Sequence, residues 1–510
     1  MNIESSSRGK KIAANTVFLY ARMLLIMVVQ FFTVRVTLKY LGVEDYGIYN
    51  VVCGVTNVFT FLTHTMTSAS QRFLAYDLGV GNMKKLKCTF DTLVSLFTLC
   101  GLIGVFLLGT IGTWFIKTHL VIPEARLDAA LFAFYFTLLA LLVSLYVLPF
   151  NSLIIAHEDM KTFAYVSIVD ALLKLGVVYC LVIIPIDKLM VYSVLIFIAY
   201  LIPSVVYVIY CHCKYSEVTW KSHVDWGLTK KIVPFMSWNL LGGLSWMLCT
   251  QGLSIVINMF FGPVANAAKA IADKVSTSIN GFSNNFMMAV QPQVVKTYAA
   301  QDYASMHKVI FLASRLSFYL TMVLVIPVSI CADGILSIWL ESHDELTTIM
   351  LQVILMFSLV GALEIPINQA IRATGDIRNY QIYIGLITFF VIPAAWGFFK
   401  LGFPAYYGYI ALIIVYSIAY VARLYYLKKQ IHISYGIYFN EVLKYCIKCL
   451  LFSIVLYLVV EFSHANVWLH SILLWGCCSI FQGLIVIVFG FKREERNKFK
   501  LYIYKRIKSY

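Results

Sequence analysis

The sequence predicts an all-α membrane protein of 14 transmembrane helices: two parallel six-helix repeats followed by two C-terminal helices. Three observations carry this prediction. Hydrophobic residues make up 61% of the 510 and charged residues 13%, with a mean hydropathy of +0.81, too little polar surface for a soluble chain of this size. Apolar runs of about 20 residues recur from end to end, each long enough to cross a bilayer, where spans must satisfy their own backbone groups. Short motifs also recur at an offset of about 220 residues, the mark of an internally duplicated transporter-like architecture.

The predicted spans are residues 12–38, 46–76, 88–116, 129–156, 162–184, 189–213, 231–260, 264–294, 308–333, 347–372, 380–399, 404–427, 441–462 and 466–490. The first is a retained span, because the run behind "MNIESSSRGKK" is too long for a signal sequence and no A-x-A site ends it. Tight turns are expected around Gly42, Gly262 and Gly402. The organisation that follows is an N-lobe over 1–213, a C-lobe over 231–427, two further spans over 441–490 and a basic tail over 491–510.

Lys and Arg set the orientation. The N-terminus and every second connection hold roughly 25 of them against roughly 5 in the alternate connections, which places both termini in the cytoplasm. The net charge of +15 is therefore a topology signal and a match to anionic lipid, with no folded domain for nucleic-acid binding. No connection exceeds about 20 residues, and no G-x-x-x-x-G-K-[ST] loop is present, so function is confined to the membrane. The 12 cysteines are scattered and mostly lie inside spans, and Cys211-His212-Cys213 at a helix end is a poor metal site. Neither a disulfide framework, a metal nor a cofactor is expected.

The repeat is explicit in the residues. At an offset of 220, Gly42 pairs with Gly262, Thr56 with Ser276 and Gln71 with Gln291. At 217, Pro149 pairs with Pro366, Asn151 with Asn368, Ala156 with Ala373, Asp159 with Asp376 and Lys161 with Arg378. Six spans per copy is an even number, so the copies share orientation, as in transporters whose site lies at the repeat interface.

Charge inside a span is costly and usually faces a bundle interior or a pathway. On span eight, Lys269, Asp273, Ser276, Asn280, Asn284 and Gln291 fall on one face at helical spacing. That face lines a cavity or, alternatively, supplies interhelical hydrogen bonds. Lys269 and Asp273 are i,i+4 neighbours able to neutralise each other, which leaves Lys274 as the freer cation. The matching face of span two carries Tyr49, Cys53, Thr56, Thr60, His64, Thr67 and Gln71, polar but uncharged unless His64 is protonated. Arg22 lies too deep in span one to snorkel easily, whereas Arg35 is near the far end. Asp170 and Lys174 form a second i,i+4 pair, either a structural strut or functional. Glu364, two residues before Pro366, has no local partner and is either a coupling-ion carboxylate or a hydrogen-bonding group at the broken helix.

The "YLG" turn followed by "YGIYN", the P-x-N end of span four in "LPFNSLIIAHEDMKTF" and its copy "IPINQAIRATGDIRNY", the 6+6 repeat and the two extra spans together resemble the polysaccharide (Wzx-type) flippases of the multidrug/oligosaccharidyl-lipid/polysaccharide exporter superfamily. The resemblance covers essentially the whole chain. It implies a flippase in the bacterial inner membrane that carries undecaprenyl-pyrophosphate-linked oligosaccharide from the cytoplasmic to the periplasmic leaflet. It further implies a cationic cavity, to which Arg22, Lys269 and Lys274 correspond by location, and an acidic start of span two, to which Glu44 and Asp45 correspond. H+ or Na+ is the implied coupling ion. A multidrug exporter of the same superfamily is the alternative, although such exporters usually have 12 spans. A membrane glycosyltransferase or polymerase would usually need a long periplasmic loop or an acidic metal site, and neither is present.

Overall fold

The computed structural model describes residues 15–16, 18–29, 33, 36–37, 40–41, 45, 48–49, 52–53, 56, 60–119, 122–183, 187–218, 224–339, 344–461 and 468–492. These residues are helical throughout, without strands, as the sequence predicts. Nine helices among them are long and apolar enough to cross a membrane, and Phe18–Val29 and Leu474–Gly490 are shorter apolar helices. The chain divides into two compact units, Met1–Leu240 with Val295–Gln301, and Leu241–Val294 with Asp302–Tyr510.

In the first unit the helices are α1 (Thr60–Val80), α2 (Met83–Leu107), α3 (Thr113–His119), α4 (Leu127–Ala156), α5 (Met160–Ile183) and α6 (Lys188–Lys214). Helix α4 is the hub, packing against α1, α2 and α6. The turn Leu108–Gly112 has π geometry, and Gly112 ends it where a Cβ would lie 2.5 Å from the fully buried Phe134 ring. Helix α7 (Trp226–Ala299) runs through residues assigned to both units.

The second unit continues with α8 (Tyr303–Ile330), α9 (Ala332–Trp339), α10 (Glu345–Thr374), α11 (Arg378–Phe389), α12 (Val391–Lys400) and α13 (Tyr407–Ile431). A short α14 (Tyr435–Tyr438) and a π turn lead into α15 (Lys444–Glu461) and α16 (Trp468–Ile485). Helix α10 packs against α8 and α13, while α8 also receives α15 and α16. The last two helices are tied in by polar contacts: Tyr319 OH donates to Gly490 O at 2.7 Å, and Gln482 Nε2 donates to Ser453 Oγ at 2.7 Å.

Predicted and observed bounds differ where a helix outlasts its apolar run. The expected span 88–116 begins at Met83, because the Asn82 side chain caps it by accepting from Lys85 N at 3.0 Å. Spans 231–260 and 264–294 are, as expected, two helices that meet at a kink at Gly262, with φ 75° and ψ −171°. Span 308–333 breaks at Cys331, and span 380–399 at Phe390. Gly402 turns at φ 86°, whereas the expected turn at Gly42 lies outside the described residues.

The backbone repeats with the sequence. Gly81 and Gln301, 220 residues apart, both take positive φ, and the next residues, Asn82 and Asp302, each cap the following helix through its i+3 amide. At 217, Glu158 and Gly375 are again both left-handed, each closing a 30-residue helix that contains one proline, Pro149 or Pro366.

Candidate functional site

The first unit contains a cavity of about 320 Å³ whose walls include Asn151, Asp170, Tyr200 and Tyr207. Helix α5 supplies Phe163 and Asp170 to it, and α4 supplies Ser144 and Asn151 near Pro149. The Arg22 guanidinium lies 4.6 Å from the centre of the Phe163 ring, a cation–π contact beside this cavity. Lys174 Nζ donates to Asp170 Oδ2 at 2.7 Å, so the i,i+4 pair expected from spacing is present, and Asp170 also lines the cavity. Asp170, which lines the cavity, and Arg22, which packs on the lining Phe163 ring, were read separately in the sequence.

A second cavity of about 260 Å³ shares Ser144 and Tyr200 with the first and is lined by Tyr49, Cys53 and Thr56. The Thr56 hydroxyl donates to Cys53 O at 2.9 Å, and His64 is exposed. Glu44 and the side chain of Thr60 lie outside the described residues. Asp45 is buried in an ionic cluster, with Arg126 Nη2 3.0 Å from its Oδ2 and Arg126 Nη1 2.5 Å from Asp187 Oδ2.

The polar face of α7 after Gly262 divides into a bonded part and an open part. Lys269 is buried and donates to Asp273 Oδ2 at 2.7 Å; Tyr409 OH on α13 donates to Asp273 Oδ1 at 2.7 Å. Ser276 Oγ lies 2.9 Å from Ser358 Oγ on α10, and Asn280 Nδ2 donates to both hydroxyls at 3.3 Å. Interhelical bonding thus accounts for Ser276 and Asn280, while Lys274 and Asn284 are exposed and Gln291 is buried. Among the described residues, no carboxylate is in ion-pair contact with Lys274.

Sequence spacing gave Glu364 no local partner. In the fold it meets Arg423 of α13, whose Nη1 donates to Glu364 Oε1 at 2.7 Å, with both residues buried. Arg423 Nε donates to Asn368 Oδ1 at 3.2 Å, and Tyr380 OH donates to the same oxygen. Arg423, Tyr409 and Tyr380 were not singled out in the sequence. Arg423 lies four residues from the end of a predicted span, where a cation reads as snorkelling, and its partners lie 43 to 59 residues away.

At the ends of α4 and α6, the Asp159 carboxylate accepts from Lys214 Nζ at 2.6 Å, Tyr210 OH at 2.5 Å and Thr162 Oγ1 at 3.0 Å. Burial pushes its pKa up, but these hydrogen bonds outweigh burial and hold it below the ordinary value. Glu217 behaves likewise: burial raises it, and the 2.6 Å contact with His157 Nε2 helps bring it below the usual range.

His212 Nδ1 donates to Val208 O at 2.9 Å, a local helix contact. Cys446 and Cys449 have C-x-x-C spacing, which the scatter of the cysteines obscured, and both are buried free thiols. Among the described residues no group of three or more His, Cys, Asp or Glu is placed to hold a metal.

The MatE family profile matches residues 19–180. No curated protein sequence matches the chain. A structure described as MATE in the bent conformation aligns with TM-score 0.73 and 12% identity, covering 83% of this chain and 96% of that one. An outward-facing multidrug resistance MATE family transporter of the MOP superfamily aligns at TM-score 0.66 and 14% identity, covering 82% and 95%. A MOP superfamily transporter from Pyrococcus furiosus, described as having a binding pocket of reverse polarity that suggests a different function, aligns at 0.67 and 13%, again covering 82% and 95%. The TM-scores establish a shared architecture, so the chain has the fold seen in these MATE structures.

Proposed function

We propose that this chain is a transporter rather than an enzyme: a flippase that carries undecaprenyl-pyrophosphate-linked oligosaccharide from the cytoplasmic to the periplasmic leaflet of a bacterial inner membrane by alternating access. The observation that carries this reading is Lys274, an exposed cation twelve residues beyond Gly262, about 18 Å along the helix. A lysine at such depth costs about 2.5–3.5 kcal/mol when it faces lipid, so an anionic cargo gives it a role. A pyrophosphate accepts charge-assisted hydrogen bonds from such a group. Arg22, beside the cavity of the first unit, supplies a second cation, and its planar fork suits two phosphate oxygens at once. Helices α15 and α16 give support, because the similar structures cover only 82–83% of this chain and the remainder is long enough for two further spans.

The competing reading, a cation-coupled multidrug exporter, draws on the description of one similar structure as a multidrug resistance transporter. Reconstitution into proteoliposomes with a defined lipid-linked oligosaccharide separates the two. Leaflet exchange is expected in the wild type, with Lys274→Ala about tenfold slower or worse and Lys274→Arg retaining more activity. Proteoliposomes that exchange no lipid-linked oligosaccharide but expel a cationic dye would establish the exporter instead. H+ or Na+ coupling is read in the same assay by imposing each gradient in turn.

A further inference from the structure

Trp246 occupies an unusual place in α7. It lies twenty residues after Trp226 and sixteen before Gly262, far from either end of that span, whereas indoles in membrane chains concentrate at the two interfaces. At 100° per residue, its side of the helix is opposite the main exposed apolar face. Leu244, Leu248 and Ile255 share the exposed apolar face. Trp246 instead shares its face with Cys249 and Leu253, three and seven residues on, and both are fully buried.

That face packs closely on either side of the indole. Cys249 Sγ donates to Thr388 O at 3.1 Å, and a Cβ on Gly408 would lie 2.8 Å from Leu253 Cδ1. One turn before Trp246, Gly242 sits directly against Gln381. Yet Trp246 itself is 45% exposed. The packed side of the helix is therefore partly open at Trp246.

The ring packs against two aromatic neighbours. It lies nearly parallel to Phe357, at 11° and 6.2 Å, and meets Tyr416 edge-on at 5.6 Å. Phe357 and Tyr416 are themselves perpendicular at 5.1 Å, and the Arg423 guanidinium lies 5.8 Å from the Tyr416 ring. Three helices of the second unit thus hold an indole in place while nearly half of it remains accessible.

We propose that the open surface of Trp246 is a stacking platform for a pyranose ring of the cargo. The inference rests on the flippase reading above and deepens it by assigning where the glycan is held. The electron-rich face of an indole attracts the C–H face of a sugar, which is apolar and weakly positive. A rigid aromatic also loses little entropy on contact. Stacking tolerates different sugars, as a carrier of heterogeneous glycan requires.

The test uses full-length protein in detergent, with Trp246→Tyr keeping an aromatic face and Trp246→Leu keeping apolar volume without one. Binding is measured for a defined undecaprenyl-pyrophosphate oligosaccharide and for glycan-free undecaprenyl pyrophosphate. Trp246→Leu is expected to weaken oligosaccharide cargo about tenfold, Trp246→Tyr to stay within about threefold, and both to bind glycan-free carrier as the wild type does. Equal loss for the two ligands would assign Trp246 to packing and overturn the platform, as would unchanged binding of the oligosaccharide cargo by Trp246→Leu. A wild type that binds neither lipid but binds a planar cationic dye would remove the flippase reading and this inference with it.

Discussion

Arg423 and Glu364 form a pair in which both partners are buried among spanning helices and each depends on the other. Desolvating two charges costs several kcal/mol per ion, and their attraction offsets this only with good geometry and further hydrogen bonds, here from Arg423 to Asn368 and Tyr380. Removing one member strands the other. Glu364→Ala is expected to lose about 3–5 kcal/mol in denaturant titration in micelles, and the double change Glu364→Gln with Arg423→Met to lose markedly less. Asp159 and Glu217 lie at helix ends outside the spans, where their hydrogen bonds hold them below the ordinary carboxylate range. Their folded-state pKa values are depressed, so each contributes stability that is fully present above its unfolded value, around 4, and lost as pH falls through the folded value. Thermal unfolding followed from pH 7 to pH 3 should show stability falling below about pH 4, with a smaller fall in Asp159→Asn. At this scale the sequence supplied the residues but seldom the partners. Lys269 and Asp273 were legible because they are i,i+4 on one helix, whereas Tyr409, 136 residues away, was not.

Helix α7 depends on two glycines for different reasons. Gly262 takes a backbone conformation with φ 75° and ψ −171° that L-residues rarely adopt, yet a Cβ there would meet nothing within 4 Å. Gly79 on α1 is the reverse: a Cβ would lie 2.7 Å from Lys296 Cα and 2.8 Å from Ala299 Cβ in the last turns of α7. Gly262→Ala is therefore expected to cost about 1–3 kcal/mol through backbone strain alone. Gly79→Ala should instead push the segment Val295–Gln301 away and loosen the 2.7 Å ion pair between Lys296 and Glu158. Hydrogen exchange checks the contrast, with protection lost in Val295–Gln301 for Gly79→Ala and near residue 262 for Gly262→Ala. Only the first of these glycine roles could be read from the sequence, because a turn signal is local and a close approach is not.

The paired turns at Gly81 and Gln301, and at Glu158 and Gly375, give the molecule an internal repeat that the backbone keeps even where the residues change. From six spans per copy and the alternation of Lys and Arg, we propose that residues 77–87 and 491–510 are on the cytoplasmic side. On a background without native cysteines, Lys84→Cys should resist impermeant thiol reagent in intact cells, while Lys117→Cys should be labelled readily. Ready labelling of Lys84→Cys from outside would reverse the orientation.

The helical class and the approximate positions of most described spans followed from local information: apolar runs set by bilayer thickness, side-chain caps such as Asn82 and Asp302, and residues that tolerate positive φ. The repeat was equally legible, since a duplicated fold keeps its turn chemistry at fixed offsets. Tertiary structure alone decided which polar residues are spent on packing and which remain open. Helical periodicity names a face, but the neighbour that covers it comes from distant sequence. That is why Ser276 and Asn280 were bound by Ser358, why Glu364 found Arg423, and why Trp246, on a packed face, was left uncovered.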